Sequence, residues 1–253
     1  PDVDELSLMI DNFSMEEFSA EFSLETFPLN SIIMGDESVD ENEQFNIVRK
    51  DPSIIIYCLR DPANKFGSRT GSIVIKSPNI DAIFSENNWH ARLRNEYIIS
   101  EHLSECNAVR AALALTEVKG IEAIILEWEN GITLSEWISL LHKKGRSPPL
   151  TSNCNSTTTT ICERELRNIL TLAAEITNAL DSIHTEAVVH NNLTPANIIV
   201  DSNKASDTMS VKIIGLGSAC LLTDNMARTN EQQRDIRSLG FILFEIFAGK
   251  HPF

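Results

Sequence analysis

The stretch His190-Asn191-Asn192-Leu193-Thr194-Pro195-Ala196-Asn197-Ile198-Ile199-Val200 decides the fold class of this chain. Its polar first part passes into an apolar run at residues 197–200, which favours a short β-strand. A second strand is predicted at residues 211–214, after a polar turn. Apolar residues recur at helical spacing over residues 166–183, which predicts a long helix before the strand pair. Residues 236–247 are apolar nearly all round, which predicts a central buried helix after it.

The chain before residue 129 has a different pattern. Short strands are predicted at residues 54–57, 72–76, 111–115 and 123–126, with one helix over residues 89–103 between the second and the third. This order predicts a small sheet carrying one helix. Residues 143–163 lose all periodicity and are dense in Ser, Thr, Asn and Pro, which indicates a mobile loop inserted within the second half of the chain.

Composition narrows the classes of function. The 253 residues are 42% apolar, enough to bury a core, and no apolar run approaches the roughly 20 residues that a membrane span needs. Residues 1–48 hold 13 acidic and no basic residues, which leaves 23 acidic against 21 basic, a net charge of −2, for the remainder. This balance disfavours nucleic acid as a partner. The five scattered cysteines contain no C-x-x-C pair and fit reduced thiols in an intracellular, cytoplasmic compartment.

Two interpretations of the acidic segment 1–48 stay open. Its phenylalanines at positions 13, 18, 22 and 27 have a spacing that could place aromatic rings along one side of a helix. The segment is then an acidic amphipathic region that docks on a partner. The alternative is a solvated, partly disordered extension.

In this order, the segments resemble the protein kinase fold. Residues 190–200 resemble its catalytic loop, H-R-D-L-K-P-x-N-I-L-V, and residues 211–217 resemble the strand that leads into D-F-G. Residues 235–240 resemble the D-x-W-S-L-G opening of its buried helix. Upstream, Ile73-Val74-Ile75-Lys76 stands at the V-A-I-K position, Asn95-Glu96 at the glutamate of the first helix, and Ile125-Leu126-Glu127-Trp128 at the hinge. The resemblance runs over residues 49–253.

The resemblance implies roles for single residues. Phosphoryl transfer depends on positioning and charge stabilisation. The resemblance places Lys76 on the phosphates of a nucleotide and Glu96 where it orients that lysine. It places Asn197 at a metal ligand, although a structural role that caps the loop is preferred here. Glu127 and Trp128 would form the hinge part of the same candidate nucleotide site.

Two positions of the family pattern are degenerate. Asn192 replaces the carboxylate that accepts the proton of the substrate hydroxyl, and a neutral amide has no proton-accepting pKa near 7. Gly215 replaces the aspartate that holds the metal, and it has no side chain. We therefore expect no intact catalytic residue and no metal site.

Other departures concern the glycine-rich loop and the packing between the lobes. The G-x-G-x-x-G of the family is absent, and Gly67 and Gly71 lie too close to Lys76 to cover its phosphates. Ser100 occupies a place one helical turn after Glu96 where the family prefers an apolar side chain. This polar residue is expected to weaken the stack that links the lobes.

Two other residues are assigned to architecture. His190 is expected to pack in the core, and Asp235 is expected to be buried and bonded to backbone donors of the catalytic loop. His184 and His142 have no convergent ligands, so metal binding through them is not expected.

The resulting prediction is an α+β, two-lobed kinase-like fold. Residues 1–48 form the acidic extension. Residues 49–128 form the N-terminal lobe, which contains the sheet and one helix. Residues 129–253 form a mainly helical C-terminal lobe, which is expected to be truncated at its end. The expected function is a pseudokinase that scaffolds or regulates a protein partner, with no nucleic acid and no membrane as partner. No cofactor is assigned with certainty; weak ATP binding, independent of metal, is left open.

Two alternatives are kept beside this function. One is a divergent Ser/Thr phosphotransferase that recruits Asp201 or Asp224 as its carboxylate. The other is an acidic docking segment that an inert kinase-like body presents to its partner.

Overall fold

The structure is a computed structural model that describes residues 46–50, 53–61, 63–79, 89–118, 121–144, 163–203, 208–222 and 225–253. Residues 1–45 and 145–162 lie outside this part of the chain, as does Asp224. The expectations for most of the acidic segment, for most of the inserted loop and for Asp224 therefore stay predictions.

Five antiparallel strands form the sheet of the N-terminal lobe, in the order β1-β2-β3-β5-β4. They are β1 (Asn46–Lys50), β2 (Ile54–Arg60), β3 (Ser72–Pro78), β4 (Ala112–Val118) and β5 (Ile121–Glu127). Helix α1 (Trp89–His102) lies between β3 and β4 in the chain. The predicted small sheet with one helix is confirmed.

The central strand β3 separates two apolar clusters. Because side chains alternate along a strand, Ile73 and Ile75 lie on one face, where they pack with Ile125 of β5. Val74 lies on the other face and packs in one cluster with Leu93 of α1. Lys76 is two residues after Val74 and lies on the same face, so the alternation of β3 directs it toward α1.

Helices and short strands build the C-terminal lobe. In chain order they are β6 (Ile132–Thr133), α2 (Leu134–Lys144), α3 (Glu163–Thr185), β7 (Val188–Val189), β8 (Ile198–Asn203), β9 (Thr208–Ile213), β10 (Cys220–Leu221) and α4 (Asn225–Ala248). Strand β8 pairs with both β6 and β9, and β7 pairs with β10, all antiparallel. The predicted strand pair at residues 197–200 and 211–214 is confirmed as part of β8 and β9.

Helix α3 contributes the largest share of the C-terminal core. Its fully buried side chains recur at helical spacing: Ile169, Leu172, Ile176 and Ile183. The buried stripe is narrower than predicted, since Leu166 and Leu170 are 42% and 54% exposed.

The expectation that residues 236–247 are surrounded by protein is wrong for this structure. Ile242 and Ile246 are buried in the core, but Ile236, Phe244 and Phe247 are 57%, 47% and 42% exposed. The reason is that α4 packs on α3 and β7 through one face. Within the described residues, no helix is long and apolar enough to cross a membrane.

Four strands and one helix were not predicted: β1, β6, β7, β10 and α2. Strand β1 crosses the boundary between residues 48 and 49 that the charge pattern suggested, and its exposed Ile47 and Val48 give no alternation of burial. Helix α2 lies mostly between the strand predicted at residues 123–126 and the loop predicted at residues 143–163. It begins with a capping box, in which Thr133 N donates to Glu136 Oε2 (2.9 Å) and Glu136 N donates to Thr133 Oγ1 (3.3 Å). The sequence Thr133-Leu134-Ser135-Glu136 carried that signal.

Candidate functional site

Lys76 and Glu96 form an ion pair between the sheet and α1. Lys76 Nζ donates to Glu96 Oε2. Glu96 is 2% exposed and Lys76 is only slightly more accessible. The lysine that the family resemblance placed on the phosphates and the glutamate expected to orient it therefore meet. We call this placement of α1, with Glu96 on Lys76, its inward position.

A second cation lies on the other oxygen of Glu96. Arg110 Nη2 is 3.9 Å from Glu96 Oε1, and Arg110 is 8% exposed. Burial lowers the pKa of this guanidinium, while the charges of Glu96 and Glu129 act in the opposite direction. Sequence reasoning missed Arg110, although a single arginine inside the run Ala108-Val109-Arg110-Ala111-Ala112 was a signal. A charge inside an apolar run needs a buried partner.

The loop after β7 is held by asparagine contacts. Asn197 Nδ2 donates to the backbone oxygen of Asn192 at 2.9 Å, and Asn192 N donates to His190 Nδ1 at 3.3 Å. Asn197 thus bonds within the loop, as the preferred structural role requires. The side chain of Asn192 is a neutral amide, which cannot serve as a general base.

Gly215 lies directly against Asn197. Its backbone is left-handed (φ +80°, ψ 44°), a region that glycine adopts without steric cost. A Cβ atom at this position would lie 2.8 Å from Asn197 Oδ1 and 3.1 Å from Asn197 Cγ. The space into which the first atom of an aspartate side chain would project is therefore occupied by the neighbouring amide.

Asp235 anchors the same loop to α4. It is 1% exposed; its Oδ2 accepts from His190 N (2.7 Å) and its Oδ1 from Asn191 N (2.9 Å). His184 Nε2 lies 3.0 Å from Oδ2. Burial raises the pKa of Asp235, but these hydrogen bonds outweigh burial and bring the pKa below its usual value. The expectation of a buried, bonded carboxylate is confirmed, and His184 is its partner.

His190 completes this anchor as a neutral ring. It is fully buried, and its Nε2 donates to the backbone oxygen of Ile214 at 3.0 Å. Burial lowers its pKa, which is consistent with Nδ1 acting as an acceptor. The predicted core position of His190 is confirmed.

Glu127, which the resemblance assigns to the hinge, binds a loop of the N-terminal lobe. Its Oε1 accepts from Ser68 Oγ (2.8 Å), Thr70 N (3.0 Å) and Thr70 Oγ1 (2.9 Å), and its Oε2 accepts from Arg69 N (3.2 Å). We call residues 68–70 the β2–β3 clip. Burial raises the pKa of Glu127, but these donors outweigh it and the pKa lies below its usual value. The carboxylate is therefore bound within the protein.

Gly67 and Gly71 flank the β2–β3 clip and give it its shape. Both have positive φ angles, +70° and +68°. They fold residues 68–70 onto a carboxylate of this chain, so the expectation that this loop is not a phosphate lid has a structural reason. The connection between β1 and β2, where a lid would lie, contains no glycine, since residues 46–60 have none.

Trp128 is the second residue that the resemblance assigns to the hinge. Its backbone N donates to Ser72 O (3.3 Å), and its Nε1 donates to Asn130 Oδ1 (3.2 Å).

Helix α1 is attached to the turn after Gly215 and to the segment before β4. Asn95 Nδ2 donates to the backbone oxygens of Leu216 (3.3 Å) and Ala219 (2.8 Å). Ser100 Oγ donates to Arg110 O (3.1 Å) and accepts from Ala112 N (2.8 Å). Ser100 thus makes two hydrogen bonds where the family prefers an apolar side chain, and both partners lie in the N-terminal lobe. The expected weakening of the stack between the lobes stays a prediction.

The site fits part of what a kinase nucleotide site needs. Lys76 is positioned by Glu96 as a phosphate-binding lysine would be. The residues do not fit a magnesium site of the kinase kind, because Gly215 offers no oxygen from a side chain and Asn197 bonds within the loop. In the described part of the chain, no group of three or more His, Cys, Asp or Glu side chains could hold a metal ion. Asp201 lies in β8, four residues after Asn197, and an extended chain covers about 13 Å over four residues.

Comparisons with known proteins agree with this geometry. The family profile described as "Protein kinase domain" matches residues 67–253. The chain is 28% identical over 178 residues to a probable serine/threonine-protein kinase PknB of Lactococcus lactis, which covers 64% of this chain and 25% of that protein. It is 27% identical over 187 residues to the serine/threonine-protein kinase PrkC of Bacillus subtilis, covering 67% of this chain and 25% of that protein.

A solved structure shows the same fold. The PknI kinase domain of Mycobacterium tuberculosis, a double mutant, superposes with a TM-score of 0.55 at 16% identity over 82% of this chain and 75% of that one. The curated relatives named above are about four times as long as the part of them that this chain matches. We call the site formed by Lys76, Glu96, Asn192, Asn197 and Gly215 the cleft. With the family profile matching residues 67–253 and Lys76 paired with Glu96 in this site, the chain belongs to the protein kinase family.

Proposed function

We propose that this kinase domain is a pseudokinase, which scaffolds or regulates a protein partner and transfers little or no phosphate. One observation supports the proposal above others: the two positions that need carboxylates hold Asn192 and Gly215, and Asn197 packs into the space beside Gly215. An amide cannot take the proton of an acceptor hydroxyl. A glycine cannot hold the metal that offsets charge on the phosphates.

The proposal is tested by phosphate transfer from labelled ATP. Autophosphorylation and transfer to a generic protein substrate are measured with magnesium, with manganese and with EDTA. The expected result is transfer no greater than that of a Lys76→Ala protein prepared in parallel. Transfer that depends on metal and disappears in Lys76→Ala would overturn the proposal.

The second candidate is a divergent Ser/Thr phosphotransferase with residual ATP binding. The ion pair between Lys76 and Glu96 favours it, because this pair is the part of the cleft that receives phosphates in the family. The relatives that carry the name of serine/threonine kinases fit it as well.

Nucleotide binding separates the two candidates. A ligand that binds the folded state raises the melting temperature by mass action, so thermal unfolding is followed with millimolar ATP, with and without magnesium. A stabilisation by ATP that EDTA leaves unchanged supports a metal-independent pseudokinase site. A stabilisation that requires magnesium and is lost in Lys76→Ala supports the phosphotransferase.

A further inference from the structure

Arg110 is fixed in the fold by its own backbone. Its N–H donates to Ile213 O at the end of β9 (3.3 Å), and its carbonyl oxygen accepts from Ser100 Oγ on α1 (3.1 Å). The residue therefore joins the C-terminal lobe and α1 before its side chain is considered. With 8% exposure, the side chain has little freedom to turn to solvent.

Its guanidinium lies in a chain of alternating charges. Lys76 is bonded to Glu96 Oε2, and Arg110 Nη2 is 3.9 Å from Glu96 Oε1. The charge of Glu129 also acts on Arg110, and Glu129 Oε1 is 3.8 Å from Lys212 Nζ of β9.

The hydrogen bonding of Arg110 is incomplete. Among the described residues, its Nε is buried and has no hydrogen-bond partner. A buried donor without a partner costs stability, so hydrogen bonding alone does not explain an arginine at this place. What the position provides is a positive charge beside the buried carboxylate of Glu96.

The buried carboxylate of Glu96 needs such a charge. Removing the last partner of a buried ion is strongly destabilising, because the remaining charge is left uncompensated. Lys76 is the partner whose charge an anionic ligand of the cleft would share with Glu96. Arg110 comes from a different segment and lies 3.9 Å from the other oxygen, so it offers Glu96 a second cation that does not depend on Lys76.

We infer that Arg110 is a positioning residue that keeps Glu96, and with it α1, in the inward position whether or not Lys76 is engaged. The inward position of α1 is then a property of the protein alone. This inference goes beyond the proposed function, because it applies to an inert and to an active cleft alike.

Hydrogen exchange of the backbone amides of α1 tests the inference. The proteins compared are wild type, Lys76→Met, Arg110→Met and the double variant. Each single variant leaves one cation on Glu96, so exchange at residues 93–100 should stay within about threefold of wild type. The double variant leaves the carboxylate of Glu96 without a cation, so amide exchange in α1 should be on the order of tenfold faster or more. Amides of α3 serve as the internal reference and should not change.

Two further variants test whether the charge of Arg110 or only its volume matters. Arg110→Lys combined with Lys76→Met should restore slow exchange in α1, because the cation is restored. In a Glu96→Gln background, the double variant should show no extra acceleration, because no charge is stranded. A residue that only filled volume would give neither result.

The inference is overturned if Lys76→Met alone accelerates amide exchange in α1 by tenfold or more. It is also overturned if Arg110→Met accelerates α3 as much as α1 and Arg110→Lys does not rescue it. Should the Arg110 variants fail to fold, the Lys76→Met protein still decides, since α1 must remain protected in it. None of these outcomes depends on phosphate transfer, so they are distinguishable from a failure of the proposed function.

Discussion

The two sides of the cleft differ in what they retain. On the N-terminal side, Lys76 and Arg110 both contact the buried carboxylate of Glu96. On the C-terminal side, Asn192 and Gly215 offer no carboxylate at all, yet the loop that carries Asn192 is held in place by hydrogen bonds to the rest of the lobe. The difference teaches that the shape of a kinase cleft and its chemistry depend on different residues. Groups that position a loop can persist where groups that react with substrate have gone.

The largest effect is expected at Asp235, which anchors the loop on the C-terminal side of the cleft. Asp235→Ala removes an acceptor of two backbone donors and of His184, which should lower the free energy of unfolding by about 4 kcal/mol. Urea denaturation measures it, with Asp181→Ala on the exposed face of α3 as control. A loss similar to that of the control would mean that the C-terminal side has lost its architecture together with its chemistry.

Gly215→Ala should have the next largest effect. A Cβ atom is strained at φ +80° and would lie 2.8 Å from Asn197 Oδ1, so a loss of about 2 kcal/mol is expected. Gly240→Ala is the matched control, because its Cβ would meet nothing within 4 Å and α4 is helical there. The control should be neutral or slightly stabilising. Equal stability of the two variants would show that an aspartate side chain could return to position 215 without cost.

Glu127→Gln tests the N-terminal side of the cleft through the pH dependence of protein stability. The folded-state pKa of Glu127 lies below its usual value, so its stabilisation is complete above the unfolded value of about 4.3 and is lost as the pH falls through the lower folded value. Wild type should exceed the variant by about 1.5 kcal/mol near neutral pH, and the difference should shrink below about pH 4.

Urea denaturation at several pH values gives this difference directly. Glu117→Gln, at an exposed glutamate of β4, is the control and should show no such change. A difference for Glu127→Gln that stays constant into acid would mean that the clip does not recognise the charge of the carboxylate.

The smallest effect is expected at Ser100. Ser100→Ala leaves Ala112 N and Arg110 O without this partner in a buried place, which should cost about 1 kcal/mol. Ser104→Ala, exposed after the end of α1, is the control. If Ser100→Ala were instead stabilising, the apolar side chain that the family prefers there would be the better link between the lobes.

Local patterns predicted much of the fold and part of the site. The strands around Lys76, the long helix α3 and the burial of Asp235 followed from periodicity and from motif positions. The pairing of Lys76 with Glu96 followed from the resemblance. These features are carried by residues that lie close in sequence or occupy fixed motif positions.

Contacts between distant segments could not be predicted in the same way. The partner of Arg110 on α1 and the donors of the β2–β3 clip are set by how strands pack, which no local pattern encodes. Strand β1 has an exposed edge and therefore no alternating burial to detect. The exposed side of α4, with Phe244, depends on which elements pack on that helix rather than on its own composition.

The β2–β3 clip also has a consequence for the order of folding. Glu127 lies 59 residues after Ser68 and 57 after Thr70, so its carboxylate meets its donors only when β2, β3 and β5 have paired in the native register. A slip of β5 by one residue would turn Glu127 to the opposite face of the sheet and leave its charge without donors. A sheet paired in the wrong register therefore lacks the hydrogen bonds of the clip and is less stable. We expect the clip to form late in the assembly of the N-terminal lobe.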